Sequence, residues 1–208
     1  MAAVLERPKE SLSGLAVGWD EFLVLTEETD FEYVDGRIAV GELITRWHTM
    51  YVQLFSSVIW SLTDENNLGW TFGETMVMRL RLDGSESGRC PDVSYVRAEH
   101  GNRIRDTFIE GPADLAIEVV SPGSRRRDAL EKRAEYEEGG VFEYWIIDPE
   151  RNPAHFLRLV NGRYEEVAPD ADGRVSSQAV AGLSVLPEAL WKEPKPSASA
   201  LVRDVEQG

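Results

Sequence analysis

The chain has 208 residues, 42% hydrophobic and 9% aromatic, which is enough apolar material for one sizeable core and a length that fits one domain better than two. Its formal charge of -15, from 22 Lys and Arg against 37 Asp and Glu, has the wrong sign for a protein that simply coats nucleic acid, although a local basic site remains compatible with it. One cysteine, Cys90, excludes an internal disulfide. No run approaches the roughly 18 apolar residues of a membrane span, and MAAVLERPKESLSG lacks a signal-peptide core, so the expected setting is a reducing cytoplasm with no membrane partner.

Residues 1–15 read as a flexible lead, followed by a short amphipathic helix around Trp19 to Thr26 that Asp20 helps to start. In FEYVDGRIAV two alternating runs flank Asp35-Gly36, a dipeptide suited to the positive φ angles of a tight hairpin, and Glu32 shares a strand face with Val34. From about Ile44 to Asn67, Trp47, Met50, Tyr51, Leu54, Phe55, Val58 and Leu62 recur at spacings of three and four. That spacing predicts a long core helix with His48 near its start. A strand is predicted from about Trp70 to Leu82, then the loop DGSESGRC, then a strand opening at Pro91 on which Asp92, Ser94 and Val96 share a face.

The next strand carries an anomaly. Leu115, Ala116, Ile117, Val119 and Val120 have the character of a strand buried on both faces, yet Glu118 sits among them. An unpaired buried carboxylate is costly, so Glu118 calls for a cationic partner or a chemical task. Ser121 and Pro122 end the strand, Ser124 is a candidate N-cap, and a helix is predicted from about Arg125 to Glu138, stopped by Gly139-Gly140. VFEYWIID reads as a strand, and HFLRLV and RYEEV as a second hairpin across Asn161-Gly162. Residues 192–208 lack periodicity and read as a flexible tail, leaving residues 16–191 as a single domain. Hairpin, long helix, three strands, helix, strand, hairpin is the order of an α/β fold on a mixed sheet.

The 26 residues between Asp92 and Glu118 allow a strand, a connection and a return strand, so the two carboxylates can meet on neighbouring strands. Side by side they repel, and a divalent cation is the usual relief; oxygen-only ligands favour Mg²⁺, Mn²⁺ or Ca²⁺ over zinc. A lysine follows from geometry. Ser121 lies about 10 Å beyond Glu118 along a strand, and Lys132 about 12 Å into a helix counted from Ser124, so a helix folding back returns Lys132 to the level of Glu118. Asp128, Lys132 and Tyr136 form one stripe of that helix. A cation, two acids and a lysine make a constellation that cleaves phosphodiesters.

Glu32 before YVDG, His48 at the helix head, PDVSYV, AIEVVSPGSRRRD, EKRAEY, GGVFEYWIIDP and the closing AGLSV and LPEALW stand in the order of the Uma family. That family was formerly a domain of unknown function and falls in the PD-(D/E)XK restriction-endonuclease-like superfamily. The chain resembles it from about Asp20 to Trp191. The resemblance implies a restriction-endonuclease-like mixed sheet flanked by helices, an αβββαβ core with added N-terminal and C-terminal hairpins, and the acid roles for Asp92 and Glu118. The chain departs from the standard motif at Val120, where a lysine would stand; in this family the lysine role looks moved to the helix, at Lys132.

The resulting expectation is a metal-dependent endonuclease acting on nucleic acid, with DNA as the substrate and Mg²⁺, or Mn²⁺, held by Asp92 and Glu118. Lys132 assists, and Glu32 and His48 stand second. Glu32 has pairing with an arginine as its competing reading, and His48 a core or helix-start role. Arg125, Arg126 and Arg127 form either a phosphate grip or a solvated face. The competing classes are a binding or scaffold module that keeps the fold without catalysis, which the acidic charge and displaced lysine favour, and an enzyme for a small phosphate ester. A homodimer is expected, with Phe142 to Trp145 and Trp47 to Phe55 as its apolar patch.

Overall fold

Asp35-Gly36 and Asn161-Gly162 all have positive φ, between 47° and 78°, the mirror-image turn whose twist suits paired strands. They join β1 (Phe31–Val34) to β2 (Arg37–Val40) and β10 (Ala154–Val160) to β11 (Arg163–Glu166), each pair antiparallel. The structure, a computed structural model, describes residues 12–26, 31–40, 45–120, 127–149, 154–192 and 197–198.

A helix, α1 (Trp19–Thr26), lies where its amphipathic pattern places it and packs Phe22 and Leu25 beside Phe31 and Tyr33 of β1. The αβββαβ core then runs α2 (Arg46–Thr63), β3 (Gly69–Gly73), β6 (Val93–Arg97), β8 (Leu115–Val119), α3 (Arg127–Gly139) and β9 (Glu143–Ile147). These strands form one six-stranded mixed sheet with the C-terminal hairpin, in the order β11-β10-β9-β8-β6-β3. Within this sheet the parallel pair among the described strands is β8 with β9, because α3 carries the chain back between them. Both faces of β8 are covered. Leu115, Ile117 and Val119 pack with Tyr51, Phe55, Val58 and Ile59 of α2, while Ala116 joins Tyr136 of α3 on the other face. Glu118 shares that second face by strand alternation.

A second sheet stands where one strand and one loop are predicted. The run from Trp70 to Leu82 breaks at Glu74, leaving β3 in the first sheet and β4 (Val77–Leu82) in another. Within DGSESGRC, Ser85–Arg89 forms β5, antiparallel to β4 on one side and β1 on the other. With β7 (Phe108–Glu110), this sheet has the order β2-β1-β5-β4-β7. Serine, glutamate and glycine give β5 no propensity signal; its partners on both sides hold it extended. Gly88 is required there. A Cβ at that position would lie 2.8 Å from Cζ3 of Trp19 and 3.0 Å from Cβ of Tyr33.

Other expectations are altered by packing. The long helix spans Arg46–Thr63 and ends short of Asn67. Residues 12–15, read as part of the lead, are tied to β2: the Gly14 amide donates to Ile38 O at 2.8 Å and Leu12 is buried. Residues 1–11 and most of 193–208 lie outside the described residues. The aromatic segments expected on a dimer surface largely face inward instead. Tyr144, Trp145, Tyr51 and Phe55 are all buried, because the sheet is covered on both faces; among the described residues the exposed large apolar ones are Val24, Met50, Trp60, Leu68 and Trp70. Among the described residues no helix is long and apolar enough to cross a membrane.

Candidate functional site

The β6–β8 ladder ends at Val93 opposite Ile117, which puts Asp92 across from Glu118. Asp92 continues the ladder with its side chain: Oδ2 accepts the Val119 amide at 2.5 Å. Asp92 is thereby fixed by the backbone of the residue that follows Glu118. Glu118, buried at the end of β8, is met from α3, where Lys132 Nζ lies 3.1 Å from both of its carboxylate oxygens and the Tyr136 hydroxyl donates to Oε1 at 2.9 Å. Lys132 and Tyr136 are one helical turn apart, so one stripe of α3 delivers both.

Glu32 reaches the same place from β1 of the other sheet. Its Oε1 is 2.9 Å from Lys132 Nζ, and its Oε2 accepts from Arg89 at 2.9 Å. Arg89, buried at the end of β5, also grips Glu135 of α3 through Nε at 2.8 Å and a terminal nitrogen at 2.6 Å. The Ser87 hydroxyl donates to the same carboxylate. An alternating chain of acid and base thus joins Glu118, Lys132, Glu32, Arg89 and Glu135 across the two sheets. Glu32 is paired with an arginine and, in addition, with the lysine.

His48 enters from the first turn of α2, whose N-cap Thr45 accepts its amide through the side-chain oxygen at 3.2 Å. Its ring is buried with Nε2 3.1 Å from Asp92 Oδ2 and Nδ1 3.5 Å from Glu74 Oε1, in the turn after β3. Among the described residues, His48, Glu74 and Asp92 are a group able to hold a metal ion: each offers a ligand atom, and these atoms lie within 4.8 Å of one another.

Burial and charge pull against each other throughout the cluster. Burial pushes the Glu118 carboxyl up, Lys132 pulls it down, and Asp92 and Glu32 raise it again, leaving it at about 7. Burial also acts on Glu32, yet Lys132 and Arg89 outweigh it and hold that carboxyl below its usual range. Burial disfavours charge on Lys132, but Glu118 and Glu32 reverse the balance and raise it well above an ordinary lysine. Asp92, then Glu74, raise His48 against its burial. Among the described residues, five acidic side chains, Glu32, Glu74, Asp92, Glu118 and Glu135, therefore stand against two fixed cations, Lys132 and Arg89, and the imidazole of His48. Excess negative charge of this kind accommodates a divalent ion.

The structure brings Asp92, Glu118, Lys132, Glu32 and His48 together. Arg125 and Arg126 lie outside the described residues, as does the side chain of Arg127, which opens α3. His100 and His155 pair instead with Asp114 and Glu166. Arg89, Glu135 and Glu74 escape the sequence reading: the first two stand in polar stretches without a pattern, and Glu74 stands in a turn hidden inside a predicted strand. Tyr136 leaves a signal in its place on the Lys132 stripe.

Acids, lysine and imidazole gathered at the strand ends of an αβββαβ mixed sheet define a nuclease-fold protein. The chain belongs to the Uma2 family, described as "Putative restriction endonuclease", whose model matches residues 19–188. Among solved structures, the crystal structure of "a putative nuclease belonging to DUF820 from Anabaena variabilis ATCC 29413" is similar, with a TM-score of 0.63 and 21% identity, covering 88% of this chain and 95% of that one. A search of curated proteins yields no match.

Proposed function

We propose that the protein is a divalent-metal-dependent endonuclease of the cytoplasm that hydrolyses nucleic-acid phosphodiesters, with DNA as its substrate, through a single domain over residues 16–191. The observation that carries this reading is the meeting of Asp92, Glu118 and Lys132 from three elements, with Lys132 3.1 Å from Glu118. The donor set fits a metal: among the described residues acidic side chains outnumber fixed cations, and Asp92 stands with His48 and Glu74 in a group whose ligand atoms lie within 4.8 Å of one another. Asp92 and Glu118 would hold the ion, Mg²⁺ or Mn²⁺, which when bound supplies an activated water and positive charge for the transition state.

The chain's own groups do the rest. Lys132, kept charged by its two acids, presents an ammonium to the phosphoryl oxygens as charge builds there. Arg89 holds Glu32, and Glu32 holds Lys132, so the lysine is aimed before substrate arrives. Arg125, Arg126 and Arg127 are assigned to the flanking phosphates. The test is a cleavage screen of single-stranded, double-stranded and branched DNA and RNA with Mg²⁺ and Mn²⁺. Cleavage is expected with either ion and is lost on chelation, and Lys132→Ala lowers turnover by at least about 10²-fold with the fold intact. Equal turnover in Lys132→Ala returns the lysine to a structural role. A protein that binds nucleic acid and cuts none of these substrates is the scaffold module that the charge of -15 favours.

Cutting both strands of a duplex calls for two sites related by a two-fold axis, so a homodimer belongs to the same proposal. Exposed Trp60 and Trp70 supply apolar surface for it in place of the buried aromatic segments. Light scattering at micromolar concentration should read two chains; one chain's mass counts against the pairing.

A further inference from the structure

We propose that His48 and Glu74 are ligands of the divalent ion beside Asp92, and that the imidazole makes the site select Mn²⁺ over Mg²⁺. The inference rests on the metal-dependent reading and deepens it. Three different elements set the group: the first turn of α2, the turn between β3 and β4, and the residue before β6. Their ligand atoms lie within 4.8 Å of one another, a spread that a single cation can span. His48 is no loose surface ligand. Its side chain is 7% exposed, its helix turn is capped by Thr45, and its buried Nδ1 makes no hydrogen bond, lying 3.5 Å from Glu74 Oε1 without hydrogen-bond geometry.

Asp92 has different neighbours on its two sides. Glu118, across the strand pair, has Lys132 and Tyr136 on its oxygens, whereas on the other side Asp92 Oδ2 lies 3.1 Å from Nε2 of His48, whose Nδ1 lies 3.5 Å from Glu74 Oε1. An ion drawn to Asp92 therefore meets an imidazole on that side. Mg²⁺ demands oxygen ligands and gives up its water reluctantly. Mn²⁺ accepts imidazole, and a nitrogen donor added to carboxylates raises its affinity relative to Mg²⁺. Oxygen donors alone, the set that Asp92 and Glu118 would provide, give no such preference.

Binding can be read without any turnover. Titration of the full-length chain with Mn²⁺, followed by the loss of the free-ion electron paramagnetic resonance signal and by competition with Mg²⁺, gives both dissociation constants. Wild type should bind Mn²⁺ at least about tenfold more tightly than Mg²⁺. His48→Asn should bring that ratio close to one, mostly by weakening Mn²⁺, and Glu74→Gln should weaken both ions by about tenfold or more. A Mn²⁺/Mg²⁺ ratio unchanged in His48→Asn overturns the proposal, and so does tighter Mn²⁺ binding in that variant, which would make His48 a protonated cation competing with the metal. Should His48→Asn fail to fold, wild type labelled with ¹⁵N-histidine decides: nitrogen coupling to bound Mn²⁺ in an electron spin-echo spectrum is expected, and its absence overturns the assignment. The two readings fail differently. No divalent binding to wild type at millimolar ion removes the metal from the proposed function as well, while binding indifferent to His48 and Glu74 removes this inference alone.

Discussion

Asp92→Asn and Glu118→Gln should each reduce divalent-dependent cleavage to the level seen after chelation, a loss on the order of 10³-fold or more. Both changes remove one negative charge with almost no change of shape. Asparagine can still accept the Val119 amide through its carbonyl oxygen, so the end of the β6–β8 ladder survives while the charge that draws the cation is lost. Glutamine at 118 likewise keeps an acceptor for Tyr136, and Lys132 retains Glu32 as an ion partner. The folded state should therefore persist, as checked by circular dichroism and melting, with function lost. Because the two acids serve one constellation, the double variant should be no worse than either single one. Turnover within about tenfold of wild type in either variant sinks the assignment of that acid.

The largest stability effect is expected at Arg89. Replacement by methionine, which keeps much of the apolar stem, should cost about 3–5 kcal/mol, because it leaves the carboxylates of Glu32 and Glu135 facing each other without the buried cation between them. For a chain of this length that corresponds to a melting temperature lower by roughly 6–20 °C. Arg89→Lys should recover little of it, since one ammonium cannot reproduce a fork that contacts Glu135 through two nitrogens and Glu32 through a third. Adding Glu135→Gln to Arg89→Met should return part of the loss, and the double-mutant cycle isolates the pair's coupling. An Arg89→Met protein that melts within a degree or two of wild type would show that solvent already screens this cluster.

Local pattern made several elements legible. The Asp35-Gly36 and Asn161-Gly162 turns need positive φ at both central residues, and few dipeptides supply it, so both hairpins could be read directly. The repeat of Tyr51, Phe55, Val58 and Leu62 marked α2 because only a buried helix uses that spacing. Glu118 was legible because a carboxylate in a strand covered on both faces is costly, and Lys132 because helix rise and strand rise bring it back to the same height. The second sheet was not legible. β5 is polar, and what holds it extended is its pairing with β1 and β4, of which β1 lies some fifty residues away.

The sequence by itself determined the two hairpins, the long helix α2, the buried strand that carries Glu118 and the helix that carries Lys132, since each follows from turn chemistry, periodicity or the cost of burying a charge. Tertiary structure alone decided what surrounds them. Arg89, Glu135 and Glu74 look like ordinary polar residues of a chain with 37 acids, and no local rule separates them from the rest. Arg89 and Glu135 became paired only when two sheets met across α3, and Glu74 came beside His48 only when the turn after β3 packed against the start of α2. The physical reason is the range of the forces. Backbone conformation and burial pattern are set by neighbours a few residues away, whereas a charge's partner and strength depend on whatever the fold brings within a few ångströms of it.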